Sequence, residues 1–159
     1  MNKQIAIVLL GDSNYDARVL NMANSLINHG YFVDIIHNGF GLQPFCNNKL
    51  NTNMIALKFN GILKYLEWNI KLFYFFKKKH YDKIISSDLY SLPSLCCSIK
   101  KTCIIYDSRE IFSELAAHKH NPLKKKFNKY VEKKCLPFVS NIMTSAHSDE
   151  KYLQHLNLM

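Results

Sequence analysis

The stretch that decides the fold is Gln4-Ile5-Ala6-Ile7-Val8-Leu9-Leu10-Gly11-Asp12-Ser13. Its short apolar run breaks at a Gly-Asp-Ser turn signal, which predicts a buried strand running into a loop. Val19, Leu20, Met22, Ala23, Leu26 and Ile27 then recur at helical spacing, and Gly30 follows as the terminating glycine. Tyr31–His37 predicts a second strand, and Met54–Phe59 a third after an Asn-rich loop. Ile62–Lys79 predicts a long aromatic helix, followed by a strand at Lys83–Ser87. Leu89–Ile99 reads as a helical segment with Pro93 in its first turns, where proline costs least. Thr102–Asp107 is a fifth strand, and Asn121-Pro122 opens a helix that runs to about Cys135. A sixth strand at Asn141–Thr144 and a helix at Ser148–Leu156 complete the order. Strands joined by helices of this length imply an α/β, Rossmann-like domain: a parallel sheet with helices on both faces, spanning residues 1–159.

The composition agrees with one globular domain. The chain has 159 residues, 48% hydrophobic and 21% charged, which is too apolar for disorder and long enough for a full core. Five cysteines, an odd number without metal-ligand spacing, fit a reducing compartment and predict a cytoplasmic protein that holds no metal. No run of about 20 uncharged apolar residues is present to span a membrane. The formal charge is +9, and the excess is local: residues 61–135 carry sixteen basic and seven acidic side chains. An excess placed in this way points to an anionic partner or to a solvated lysine-rich face.

In an open parallel sheet, ligands bind in the loops at the carboxyl ends of the strands. Here those loops are polar: Gly11-Asp12-Ser13-Asn14, His37-Asn38-Gly39, Ser86-Ser87-Asp88, Asp107-Ser108-Arg109-Glu110 and Thr144-Ser145-Ala146-His147. Gly11 stands alone where a dinucleotide fingerprint needs three glycines, which disfavours NAD, FAD and Walker-type nucleotide binding. The loop's backbone N–H groups at a helix start can still face a hydroxyl-rich or anionic ligand, with Asp16 and Arg18 beside them. Alternatively, Asp16 complements the helix dipole and Arg18 is a surface charge. Asp107, Arg109 and Glu110 put a carboxylate, a guanidinium and a second carboxylate directly after a strand, a set able to hold hydroxyls and phosphate; helix capping is the competing reading. Ser87 and Asp88 read as a cap for the next helix and as candidate ligands.

The helix Ile62–Lys79 has an apolar arc far wider than the roughly 100° stripe that a sheet-docked helix needs. Trp68 and Phe75 flank its charged stripe (Lys64, Glu67, Lys71), and Lys77, Lys78 and Lys79 close it. In the segment Leu123–Lys134, Leu123, Phe127, Tyr130 and Val131 share one face and lysines such as Lys124, Lys125 and Lys126 fill the rest. Together these helices predict a footing on an anionic membrane surface, with Trp68, Phe75, Lys77, Lys78, Lys79, Lys124, Lys125 and Lys126 facing it. Burial of the aromatic helix within its own domain is the other reading. No nucleic-acid recognition motif is present, so nucleic acid is not expected as a partner.

Several of these elements resemble the N-terminal domain of family 4-like GT-B glycosyltransferases. Ile5-Ala6-Ile7-Val8 followed by Tyr15-Asp16-Ala17-Arg18-Val19 is similar to that family's first strand and its D-x-R-V helix start, and Gly30-Tyr31-Phe32-Val33 to its G-Y-x-V element. Tyr81–Ile85 with Ser87-Asp88 resembles the fourth strand and its loop. Tyr106–Glu110 with Glu114 resembles the D-x-H-E segment, with Arg109 in the usual His position, and Ile142–Ala146 the closing strand. The resemblance implies sugar transfer from a nucleotide-sugar to an acceptor glycan or glycolipid, without a metal or other cofactor. The chain would supply the acceptor side, one half of a GT-B fold, either truncated or as half of a split enzyme. The family's E-x7-E element, which holds the donor, has no counterpart here, so the C-terminal donor-binding domain is expected to be absent from this chain, with a donor-domain subunit as partner if the enzyme is split. Gly11, Asp12, Ser13, Asn14, Arg18, Ser87, Asp88 and Ser145 are the implied substrate-binding residues, and Asp107, Arg109 and Glu110 the implied catalytic ones. The enzyme would work in the cytoplasm, on the inner face of the membrane, with a lipid-linked or surface-polysaccharide acceptor. From a different class, the alternative is a non-catalytic Rossmann-like adaptor that docks a protein through its aromatic helix.

Overall fold

The computed structural model describes residues 3–39, 48–98, 102–109 and 122–158. Six parallel strands form one sheet: β1 (Gln4–Val8), β2 (Phe32–His37), β3 (Leu50–Met54), β4 (Lys83–Ser86), β5 (Cys103–Ser108) and β6 (Asn141–Thr144). Their order, β3-β2-β1-β4-β5-β6, reverses direction at β1, so the crevice between the β1 and β4 ends is the topological switch point. The helices are α1 (Ala17–Asn28), α2 (Ile62–Lys78), α3 (Leu92–Ser98), α4 (Pro122–Cys135) and α5 (His147–Leu158). The doubly wound fold expected from the sequence is the fold observed.

Alternation along β1 explains the two-layer core. Ile5, Ile7 and Leu9 face one side with Val19, Ala23 and Ile27 of α1, whereas Ala6 and Val8 face the other with Trp68, Leu72 and Phe76 of α2. Leu92 and Leu95 of α3 and Cys135 of α4 join that second layer. Asp16 caps α1, its Oδ1 accepting the Val19 amide at 3.0 Å, and Gly30 ends the helix turn at φ 88°, a left-handed conformation that favours glycine.

Two predicted elements shift. The third strand is Leu50–Met54, not Met54–Phe59. As an edge strand it is half-exposed and tolerates Asn51 and Asn53, so the more apolar segment after it drew the prediction. That segment is instead clamped to α2: Glu67 Oε2 accepts the amides of Lys58 and Phe59 at 2.8 and 3.0 Å, and Lys71 Nζ donates to the Ala56 carbonyl at 2.6 Å. Lys71, with those amides, holds the Glu67 carboxyl down at about 2. The segment predicted as Leu89–Ile99 divides into a 3-10 turn, Leu89–Ser91, and α3; Ile99 lies outside the described residues.

The inward face of α4 carries Asn128, Glu132 and Cys135, with Val131 half-buried beside them, while Leu123, Phe127 and Tyr130 are exposed. Glu132 is fully buried beneath Tyr106, whose hydroxyl donates to its Oε1 at 3.3 Å. Burial pushes the Glu132 carboxyl up to about 7, against the opposing pull of the Tyr106 hydrogen bond. The folded chain therefore keeps a proton that the unfolded chain releases near 4.5. Stability from this group is complete below 4.5 and falls as pH rises through 7, by roughly 3 kcal/mol in all at 1.36 kcal/mol per pKa unit. Glu132→Gln is expected to match the parent chain at pH 4.5 and to exceed it at pH 8. Urea midpoints at the two pH values check this, and an equal offset at both would refute it.

Candidate functional site

The polar loops meet at the carboxyl edge of β1, β4, β5 and β6, and their centre is a crossed pair of ion pairs. Asp16-Ala17-Arg18 and Asp107-Ser108-Arg109 are two D-x-R elements, one opening α1 and one ending β5. Arg18 Nη2 binds Asp107 Oδ1, and Arg109 Nη1 binds Asp16 Oδ2. Arg109 Nε also lies 3.5 Å from Asp107 Oδ2, and Arg18 Nη1 donates to Ser145 Oγ at 2.8 Å. Four charges thus tie α1 to β5 and to the end of β6. Asp107 is fully buried beneath them, whereas the Arg18 side chain stays 40% exposed and that of Arg109 25%.

Asp107 is flanked by two guanidiniums, but its Oδ2, 3.5 Å from Arg109 Nε, makes no hydrogen bond among the described residues. Arg109 Nε and Nη2 likewise make none among the described residues, so one carboxylate oxygen and one guanidinium edge are left with capacity. Glu110 lies outside the described residues.

Asp88 is a second hub, and it faces inward. Oδ2 accepts the Leu10 amide at 2.6 Å and the Ser91 hydroxyl at 3.1 Å, while Oδ1 accepts the Ser91 amide at 2.7 Å. Burial pushes its carboxyl pKa up, against these hydrogen bonds and the nearby Arg109 charge. Both oxygens are spent on shaping the loop, so the capping reading holds for Asp88. Its neighbour Ser87 is buried with an Oγ that has no partner among the described residues.

The β1 loop completes the rim. Asp12 Oδ1 accepts the Asn14 amide at 3.0 Å and its side-chain Nδ2 at 2.8 Å, and Ser13 is buried beneath. Gly39, after β2, lies against Asp12 so closely that a Cβ there would overlap the Asp12 backbone. Gly11 accepts the Asn38 amide at 3.2 Å through its carbonyl. The adjacent His37 is buried, which pulls its pKa down against the Asp12 charge.

The structure therefore brings together Arg18, Asp107, Arg109 and Ser145, with Ser87, Asp88 and the Gly11–Asn14 loop alongside. Sequence reasoning missed Asp16 as a cross-partner and Ser91 as the link below Asp88. The repeated D-x-R spacing was the available signal for the first; nothing in the local sequence marks the second. Among the described residues, no three His, Cys, Asp or Glu side chains are grouped for a metal ion.

The membrane-facing set changes more. Trp68 is fully buried, its Nε1 donating to Ser91 Oγ at 3.0 Å, because α2 turns this residue toward the sheet. Phe75 is half-buried against the same core. Lys79 reaches back, donating to Asn53 Oδ1 at 3.2 Å and pairing with Asp34 Oδ2 at 3.5 Å. Lys77, Lys78, Lys125 and Lys126 are exposed, and Lys124 is half-exposed. No described helix is long and apolar enough to cross a membrane.

Comparison with solved structures places this architecture. The chain is similar to a sucrose-phosphate synthase from Thermosynechococcus elongatus, with a TM-score of 0.73 and 14% identity over 97% of this chain and 45% of that one. A shorter structure of that synthase matches at 0.70 and 13%, covering 96% of this chain and 81% of that one. A Phytolacca americana UGT2 complexed with UDP-2fluoro-glucose and pterostilbene matches at 0.61 and 10%, over 94% of this chain and 49% of that one. At this identity the likeness shows the fold alone: a GT-B-like, Rossmann-type α/β domain. The chain spans about half the length of the full-length proteins that it matches. No protein-family model matches the sequence, and no curated protein matches it significantly.

Proposed function

We propose that this chain is the acceptor-side half of a GT-B glycosyltransferase. It would bind a lipid-linked or polysaccharide acceptor at the carboxyl edge of its sheet while a donor-binding domain presents the nucleotide-sugar. The observation that carries the proposal is the crossed D-x-R pair at the carboxyl edge of the sheet, where Arg109 Nη2 and the Ser87 hydroxyl have no partner among the described residues. A guanidinium next to hydroxyls and loop amides is a chemical match for a sugar bearing a phosphate. The fold supports the same reading, because the UGT2 neighbour was solved with a nucleotide-sugar analogue. In this account Arg109 and Arg18 bind and orient the acceptor, Asp107 and Asp16 hold those cations in place, and no metal takes part. Work on a lipid-linked acceptor places the protein on the cytoplasmic side of a membrane. The test is a titration of the labelled chain with soluble sugar 1-phosphates, which should perturb Arg18, Ser87, Arg109 and Ser145 together.

A further inference from the structure

We infer that the outer faces of α2 and α4 form one docking surface for an anionic lipid bilayer. The inference rests on the membrane part of the function proposed above and gives it a definite face. Both helices cover the same side of the sheet, with α3 packed between them. Along α2, Ile62, Leu63, Leu66, Ile70 and Tyr74 point outward, with Ile62 85% exposed. Along α4, Leu123, Phe127 and Tyr130 do the same at 78%, 60% and 61%. Isolated exposed hydrophobics are ordinary, but two ridges on one face of a single layer are not.

The charge around the ridges selects the occupant. Lys77 and Lys78 end α2, and Lys126, Lys129, Lys133 and Lys134 border the α4 ridge, all exposed. The acidic residues of these helices are both turned away: Glu67 is held by Lys71 and the loop amides, and Glu132 is buried. Among the described residues of α2 and α4, the face therefore offers apolar side chains and cations with no exposed anion. That chemistry fits an interfacial helix layer, with ridges entering the acyl boundary and lysines meeting lipid phosphates. Lys77 Nζ lies 4.6 Å from the Phe73 ring centroid and Lys134 Nζ 5.8 Å from that of Tyr130, so cations and rings share the outward edge.

Co-sedimentation with vesicles of phosphatidylcholine alone, or with phosphatidylglycerol added, tests this on the full chain. Binding is expected only to the anionic vesicles and should weaken with salt. Leu66→Glu with Ile70→Glu, or Leu123→Glu with Phe127→Glu, should each reduce binding about tenfold or more, while Asn21→Glu with Ser25→Glu, exposed on α1 across the sheet, should not. All four ridge positions are exposed, so the fold should persist, as circular dichroism would confirm. Emission of Trp68, buried under α2, should be unchanged by vesicles. If the parent chain binds no vesicle, the membrane reading and this inference fall together. If the ridge variants bind like the parent, only the assignment of this face falls. A dimer in solution that the ridge variants abolish would assign the surface to a second copy instead and overturn the inference.

Discussion

Asp107→Ala is expected to lower the folding free energy by about 3–5 kcal/mol, the range for breaking a buried ion pair from one side. Asp107 is fully buried and is the shared partner of Arg18 and Arg109. Removing it leaves two guanidiniums facing each other across a space that water reaches only in part, with Asp16 as the remaining counter-charge. The variant should also lose the orientation of Arg109, so any sugar phosphate binding should fall with the stability. Asp107→Asn keeps the shape and one acceptor but not the charge, and should cost less. Urea denaturation measures both, with the slope unchanged if only the native state is affected. A loss below about 1 kcal/mol for the alanine variant would mean that the pairs are worth no more than ordinary surface salt bridges.

The second large effect belongs to Asp88. Asp88→Ala removes the acceptor for two backbone amides, Leu10 and Ser91, and for the Ser91 hydroxyl. Each buried donor left without a partner costs about 1–3 kcal/mol, so a total of about 3 kcal/mol or more is expected. The damage has its own optical signature. Ser91 Oγ accepts from Trp68 Nε1, and Trp68 is the only tryptophan in the chain. Loosening Ser91 should shift the native-state emission of Trp68 to the red, while Asp88→Asn should shift it less. Native-like emission together with native-like stability in the alanine variant would rule out the hub.

Those two sites show which parts of the molecule can be read from sequence. The apolar runs of β1, β2, β4 and β5 and the helical periodicity of α1 are local signals, and each was legible because burial on both sides of a sheet demands continuous hydrophobicity. The edge strand β3 was displaced because an edge accepts Asn51 and Asn53, which carry no strand signal. Helix orientation was the weakest inference. A helix as apolar as α2 does not reveal which of its faces meets the sheet, so Trp68 was assigned to the surface and Leu66 was not singled out for it. On α4 the hydrophobic pattern does not reveal the buried side, which is built around Glu132 and Asn128.

At the site, the polar character of the loops was legible and their partnerships were not. Asp107 and Arg109 are adjacent in sequence, yet their strongest partners, Arg18 and Asp16, lie about ninety residues away. Only the sheet order, which sets β1 beside β4 and β4 beside β5, brings the two D-x-R elements within reach. Asp88 carried the same capping signal in sequence as in structure, because that role is local.

The central claim is that the carboxyl edge between β1 and β5 binds a phosphorylated sugar through Arg109 and its neighbours. Nuclear magnetic resonance of the isotopically labelled chain, titrated with a set of common sugar 1-phosphates, tests it most directly. The expected result is saturable perturbation of the Arg18 and Arg109 side-chain signals and of the amides of Gly11–Asn14, Ser87 and Ser145. Arg109→Ala should weaken this by about tenfold or more, the cost of a lost charge-assisted contact. Perturbation confined to the lysine-rich α4 helix, or no saturable change at the carboxyl edge with any of these sugars, would contradict the account.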